Sequence, residues 1–227
     1  PLPPGRSITI TTPFHVKLPK NVSRGGYTGE TFQITQWYPK PAVYDRKGWH
    51  RMPYLDQGEF YSEFGKFDVT ITVPSNYIVA STGELQNEDE LARLTTLGKQ
   101  SIEQQDNYTT FKKEFEKRAK KEPKTYYELM PASSQEVKTL RYVQDSVHDF
   151  PWFASTLLVV QYDTLQLPTK TVNAFAFYHP WEKDQWQKGL SYIKDGTRKN
   201  SEWIGEYPYK IVTAVSGDAN ETSGGME

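Results

Sequence analysis

Cysteine is absent from this 227-residue chain, which excludes disulfides, a thiol nucleophile and Cys-ligated zinc in one step. Histidine is scarce. The four, His15, His50, His148 and His179, stand far apart and no two are four residues apart. His-Glu-x-x-His, which places two imidazoles on one helix face with a glutamate to activate water, does not occur, so no zinc site is expected within these residues. Neither sign of charge is in excess: 27 Lys and Arg against 28 Asp and Glu leave a net charge of -1, spread along the chain. That balance disfavours nucleic-acid and anionic-lipid partners. No run of about 18 apolar residues is available to span a bilayer.

What is present suits a folded, β-rich chain. Apolar residues make up 36% of the sequence, enough for a core, and aromatics 14%, which favours sheet surfaces where broad rings pack across strands. Apolar and polar residues alternate over Ser7 to Thr11, over Phe32 to Trp37 and most cleanly over Asp68 to Val73, the period of a strand with one buried face. Pro74-Ser75-Asn76 then supplies a turn before Tyr77 to Ala80, and the two strands are expected to form a hairpin.

Helical spacing replaces this alternation between about Glu88 and Lys121, with Leu91, Leu94 and Leu97 in one helix and Tyr108, Phe111 and Phe115 in a second that Pro123 ends. The second carries Glu114/Arg118 and Glu116/Lys120, pairs worth only tenths of a kcal/mol, so it needs a surface to lie against. A strand is expected over Lys138 to Val143. From Thr171 the order becomes strand (Val172 to Tyr178), helix (Pro180 towards Ile204) and strand (Lys210 to Ser216), a β-α-β unit. Asp195-Gly196 weakens the middle of that helix by about 1 kcal/mol. The organisation expected is therefore 1–168, a β domain carrying a helical insertion over 86–136, and 169–227, the start of an α/β domain.

Several constellations could carry chemistry. In Ser223-Gly224-Gly225-Met226-Glu227, a carboxylate ends a Gly-containing segment whose bare backbone lets a ligand approach, and it could hold an ammonium group. On composition alone the same letters fit a flexible tail. Asp56, Glu59 and Glu63 are acidic neighbours without the ordered spacing of a calcium loop and read as surface or hydrogen-bonding groups. The Lys/Glu-rich stretch Lys112 to Lys121 reads as a solvated helix face, and His179-Pro180-Trp181-Glu182 as packing or a helix start. Three glycosylation-type triplets, at Asn21, Asn107 and Asn220, arise readily by chance.

A longer block is more specific. Gln36-Trp37-Tyr38-Pro39-Lys40-Pro41 leads to Gly48-Trp49-His50, then to Pro53-Tyr54-Leu55-Asp56-Gln57-Gly58-Glu59-Phe60-Tyr61 and on through Asp68 to Pro74. Thr82-Gly83, Val147-His148-Asp149-Phe150-Pro151-Trp152, Glu206-Tyr207-Pro208-Tyr209 and finally Gly224-Gly225-Met226-Glu227 follow in order. This series resembles the amino-terminal part of bacterial gluzincin zinc aminopeptidases, the family of membrane alanyl aminopeptidase and leukotriene hydrolase. The resemblance covers nearly the whole chain outside the insertion.

It implies a saddle-like amino-terminal β-sheet domain followed by the first strand-helix-strand of a thermolysin-like catalytic domain. It further implies a fragment ending at the Gly-Gly-Met-Glu motif, just ahead of the zinc-binding helix and inactive alone. In the intact protein zinc would be the cofactor, and a peptide with a free amino terminus the partner and substrate. By the same resemblance Gly224, Gly225 and Met226 line the substrate backbone, Glu227 holds its terminal amine, and Gln36 lies near the first substrate pocket. Many relatives carry an acidic residue two places after that glutamine; Tyr38 stands there instead, which implies a weaker or differently shaped amine site. A non-catalytic relative, or a β-rich module binding protein or glycan, is the alternative reading.

Overall fold

The computed structural model describes residues 3–20, 25–53, 60–118 and 126–217. In chain order the elements are β1 (Gly26–Thr28), β2 (Thr31–Ile34), β3 (Val43–Asp45), β4 (Gly48–His50), β5 (Gly65–Pro74), β6 (Ile78–Ser81) and β7 (Glu84–Leu85). Two helices follow, α1 (Glu88–Lys99) and α2 (Asp106–Arg118), then β8 (Val137–Val147), β9 (Trp152–Ser155), β10 (Val159–Gln166) and β11 (Thr171–Tyr178). The described chain ends with α3 (Lys183–Trp186), α4 (Gly189–Trp203) and β12 (Ile211–Val215). Strands predominate, as the aromatic content and alternation predict. They form three sheets, β1-β2-β9-β6, β5-β8-β7 and β10-β11-β12, with β3-β4 as a separate hairpin.

The alternation in β5 becomes a sided strand. Ile71 and Val73 are buried while Asp68, Thr70 and Thr72 are exposed, each buried branched side chain contributing roughly 1.5–3 kcal/mol. The hairpin expected between β5 and β6 does not form. β5 pairs with β8, and β6 pairs with β9 in another sheet. Pro74-Ser75-Asn76 does turn the chain, but Ser75 donates its N–H to Glu136 O at 2.8 Å, and all four residues of β6 are buried. A strand enclosed on both faces belongs in a central layer, which a two-stranded ribbon with β5 would not provide. The strand expected over Ser7 to Thr11 is also missing: Ile8 and Ile10 are 68% and 78% exposed, and no described strand pairs with this stretch. Alternation marks a face that could be buried; a partner must still supply the ladder.

Both expected helices, α1 and α2, form. Leu94 is buried and Leu91 and Leu97 pack on the main core, while α2 finds its surface through Phe111, which meets Phe115, Tyr126 and Trp181 at centroid distances of 5.6, 6.0 and 5.7 Å. Glu114 and Arg118 pair at 3.0 Å; Lys120 and Pro123 lie outside the described residues. Asn107 is engaged in the fold, donating its amide to Leu158 O at 2.8 Å.

The β-α-β unit is realised with β11 and β12 parallel, Asn173 opposite Ile211 through Phe177 opposite Val215. β10 joins β11 antiparallel along its whole length, so this sheet crosses position 168. The expected helix is broken into a 3-10 turn at Pro180–Glu182, α3 and α4. α4 nevertheless runs through Gly196, where an added Cβ would meet nothing within 4 Å. Gly196→Ala is therefore expected to raise stability by about 0.5–1 kcal/mol, since it removes unfolded-chain freedom without a clash. Urea unfolding measures this, and an unchanged or lower midpoint would refute it.

Candidate functional site

The antiparallel pairing of β2 with β9 ends with Ile34 opposite Trp152. Just beyond that last pair, Gln36 and Trp37 meet Asp149 and Phe150. The Trp37 indole donates to Phe150 O at 2.8 Å. Gln36 donates its amide nitrogen to Asp149 Oδ2 at 2.6 Å, and Lys40 Nζ reaches the same oxygen at 2.7 Å. Asp149 Oδ1 accepts the Phe150 N–H at 2.7 Å and, more distantly, the Tyr38 hydroxyl at 3.5 Å. One carboxylate thus gathers four donors at the end of the sheet.

Packing holds these groups in place. Phe150 is fully buried and stacks on Phe67 at 5.6 Å, and Tyr38 sits edge-on to both Phe67 and Trp37. Burial, then the charge of Asp149 and its hydrogen bond, push the Tyr38 phenol well above its ordinary value, so it remains a neutral donor at any physiological pH. Lys40 and Asp149 are both largely shielded, at 18% and 15% side-chain exposure. At that burial a pair is stronger than a fully solvated one and neutral overall. A carboxylate can only accept hydrogen bonds, so the Gln36 group facing Asp149 is its NH2. No described residue donates to the Gln36 carbonyl oxygen.

Of the other expected site residues, Gly224, Gly225, Met226 and Glu227 lie outside the described residues, as do Asp56 and Glu59; Glu63 is exposed. β12 leads towards that carboxyl-terminal run, and a groove of about 330 Å³ lies beside it, lined by Thr82, Gly83, Phe153, Tyr209, Ile211 and Thr213. β12 has no neighbour on its other side among the described strands. Asp149 and Lys40 were not singled out from the sequence. The signal for them is the β2–β9 register, which depends on pairing residues more than a hundred positions apart.

The histidines do not come together. His15 and His148 are exposed, and His50 is half-buried and bonds to Asp45 at 2.8 Å. His179 is completely buried, with Nε2 3.0 Å from Thr31 Oγ1 and its ring stacked on Trp181 at 4.5 Å. Its backbone N–H is accepted by Glu182 Oε2 at 2.9 Å, which makes it the start of the 3-10 turn, as the sequence suggests. Burial opposes the Glu182 charge, but hydrogen bonds from His179 and Ser216 hold its carboxyl below the usual range. The order hydroxyl, imidazole, carboxylate is that of a catalytic relay. With His179 fully buried, Thr31 nearly so, and Ser155, whose hydroxyl lies 2.9 Å from Thr31 Oγ1, fully buried as well, it works as a fastening between sheets instead. Among the described residues no three His, Asp or Glu side chains come together as a metal ion would require, and no helix is long and apolar enough to cross a membrane.

Comparison with solved structures returns M1 zinc metallopeptidases. The enzyme from Deinococcus radiodurans is similar at 16% identity and a TM-score of 0.42, over 69% of this chain and 27% of that one. A mutant of a two-domain M1 zinc metallopeptidase bound to L-arginine gives 15% and 0.38 over the same shares, and a Deinococcus radiodurans mutant bound to a Tyr-Ser-Ala substrate gives 16% and 0.42. This chain spans about a quarter of the length of each. Likeness of this size describes a partial overlap and carries no argument about individual residues. No protein-family model matches the chain, and no curated protein matches it.

Proposed function

We propose that this chain is the amino-terminal part of a zinc-dependent aminopeptidase, and that Gln36 forms one wall of the pocket for the substrate's free amine. The supporting observation is the commitment of the Gln36 NH2 to Asp149, which leaves the carboxamide oxygen as the group available to a ligand. An oxygen acceptor suits an ammonium group, which has only donors. Glu227 would add the charge, with Gly224, Gly225 and Met226 along the substrate backbone. Holding the amine at both groups sets the register of the first peptide bond, a positioning role. In this reading 1–168 belongs to the β domain and 169–227 opens the catalytic domain.

Zinc bound elsewhere in the intact protein would supply a Lewis acid and an activated water. The described residues do not fit a metal ion, and none of them is assigned a step in that chemistry. The alternative of a protein- or glycan-binding module has the exposed Tyr44 and Trp49 rings in its favour. They lie 4.9 Å apart but tilted at 57°, a cross-strand hairpin contact and no flat platform for a sugar.

In the intact protein, Gln36→Ala and Glu227→Ala should each raise KM for peptides with a free amine on the order of tenfold, the effect of losing one charge-assisted hydrogen bond. Steady-state kinetics on a dipeptide series measures this. Unchanged KM in both variants would remove the amine-site assignment, and a substituted His-Glu-x-x-His downstream of Glu227 would remove the enzyme.

A further inference from the structure

We infer that Asp149 is a positioning residue that fixes Gln36 as an acceptor towards the substrate amine; this rests on the amine-site reading above. A carboxamide is nearly symmetric in shape and can turn over to offer either NH2 or oxygen. Only the oxygen can receive an ammonium proton. What decides between the two faces is the partner on the other side, and Asp149, 2.6 Å from the Gln36 nitrogen, can accept and not donate.

The remaining contacts explain why Asp149 does not take the amine itself. Lys40 occupies the same oxygen at 2.7 Å, and the Phe150 N–H and the Tyr38 hydroxyl converge on the other. Its charge is balanced and its acceptor positions are taken, so it acts on the ligand through Gln36. This also bears on the tyrosine at position 38. The phenol, kept neutral, contributes a donor to Asp149 where an acidic residue would have competed with it for Lys40 and repelled it. The carboxylate of this corner comes from the segment before β9, 113 residues from Gln36, and serves alignment instead of direct charge.

Asp149→Asn preserves shape but adds a donor at the point facing Gln36. With Lys40 and the Phe150 N–H competing for the one remaining oxygen, the introduced NH2 turns to Gln36 and makes its carboxamide flip, presenting a donor to the ammonium. In the intact protein KM for free-amine peptides should rise about tenfold while kcat stays within about twofold. Combining Asp149→Asn with Gln36→Ala should cost no more than Gln36→Ala alone, because both remove the same acceptor. The exchanged pair, Gln36→Glu with Asp149→Asn, should bring KM back to within about threefold of the parent, since the introduced carboxamide donates to the introduced carboxylate and leaves an oxygen facing the substrate. Such rescue distinguishes alignment from folding, as melting temperatures of the same variants would show independently. If Gln36→Ala raises KM but Asp149→Asn does not, or the exchanged pair fails to recover, the positioning role is overturned. If Gln36→Ala leaves KM unchanged, Gln36 is no part of an amine site, and this inference falls with that part of the reading whatever Glu227→Ala does.

Discussion

Replacing Gln105 by leucine is expected to lower stability by about 3 kcal/mol, which is large for a residue in a connection between helices. Gln105 is only 1% exposed. Its amide nitrogen donates to Val160 O at 2.7 Å, and its carbonyl oxygen accepts the Val160 N–H at 3.0 Å. One side chain thus gives β10 the pair of hydrogen bonds that a neighbouring strand would give, on the edge opposite β11. Val160 is fully buried, so water cannot replace these bonds. Each unsatisfied backbone group costs about 1–3 kcal/mol, and leucine, similar in size, restores neither. The segment joining the two helices therefore protects a sheet edge. Urea unfolding of Gln105→Leu, with the slope checked against the parent, measures the effect; a loss below about 1 kcal/mol would mean that the edge is satisfied some other way.

Gly98→Ala should be destabilising by about 2 kcal/mol, although alanine is the better helix former. Gly98 lies near the end of α1, where the helix comes down on β10. A Cβ there would stand 2.5 Å from Tyr162 Cβ, 2.8 Å from Tyr162 N and 3.1 Å from the Gln161 carbonyl carbon. Two of these are backbone atoms and the third is attached directly to backbone, so no side-chain rotation relieves the contact. The helix must lift, weakening the packing of Leu94 and Leu97 below it. The same substitution at Gly196, in open space on α4, is expected to have the opposite sign. Measuring both in one series separates helix propensity from close approach: if both variants gain stability, the approach of α1 to β10 is looser than these distances indicate.

The contrast between those two glycines shows how far letters alone reach. Both stand inside helices and look equally costly in the sequence, and only the neighbour across the gap gives them different roles. Gln105 resembles any polar residue between two helices until Val160 is found opposite it. Gln36 stood out as a candidate through its surrounding block, whereas Asp149 and Lys40 came beside it only through the approach of β2 to β9. The alternation in Asp68 to Val73 correctly identified the buried face of β5, yet its partner proved to be β8 and not the adjacent β6.

Local chemistry accounts for what could be read directly. Periods of two and of 3.6 and the breaks at Pro74 and Pro180 are each set within a few residues, and the absence of cysteine and of a His-Glu-x-x-His pair is read from the letters alone. The periods and breaks were enough to determine a β-rich chain, two helices and a closing β-α-β order, while the resemblance to one peptidase family came from the ordered motifs between Gln36 and Glu227. Tertiary structure alone decided which strands share a sheet, that Ile8 and Ile10 stay exposed, and that the Asp149 carboxylate meets Gln36. Those outcomes rest on hydrogen bonds between groups far apart in the chain, and such bonds depend on register, burial and direction, none of which is written at either residue by itself.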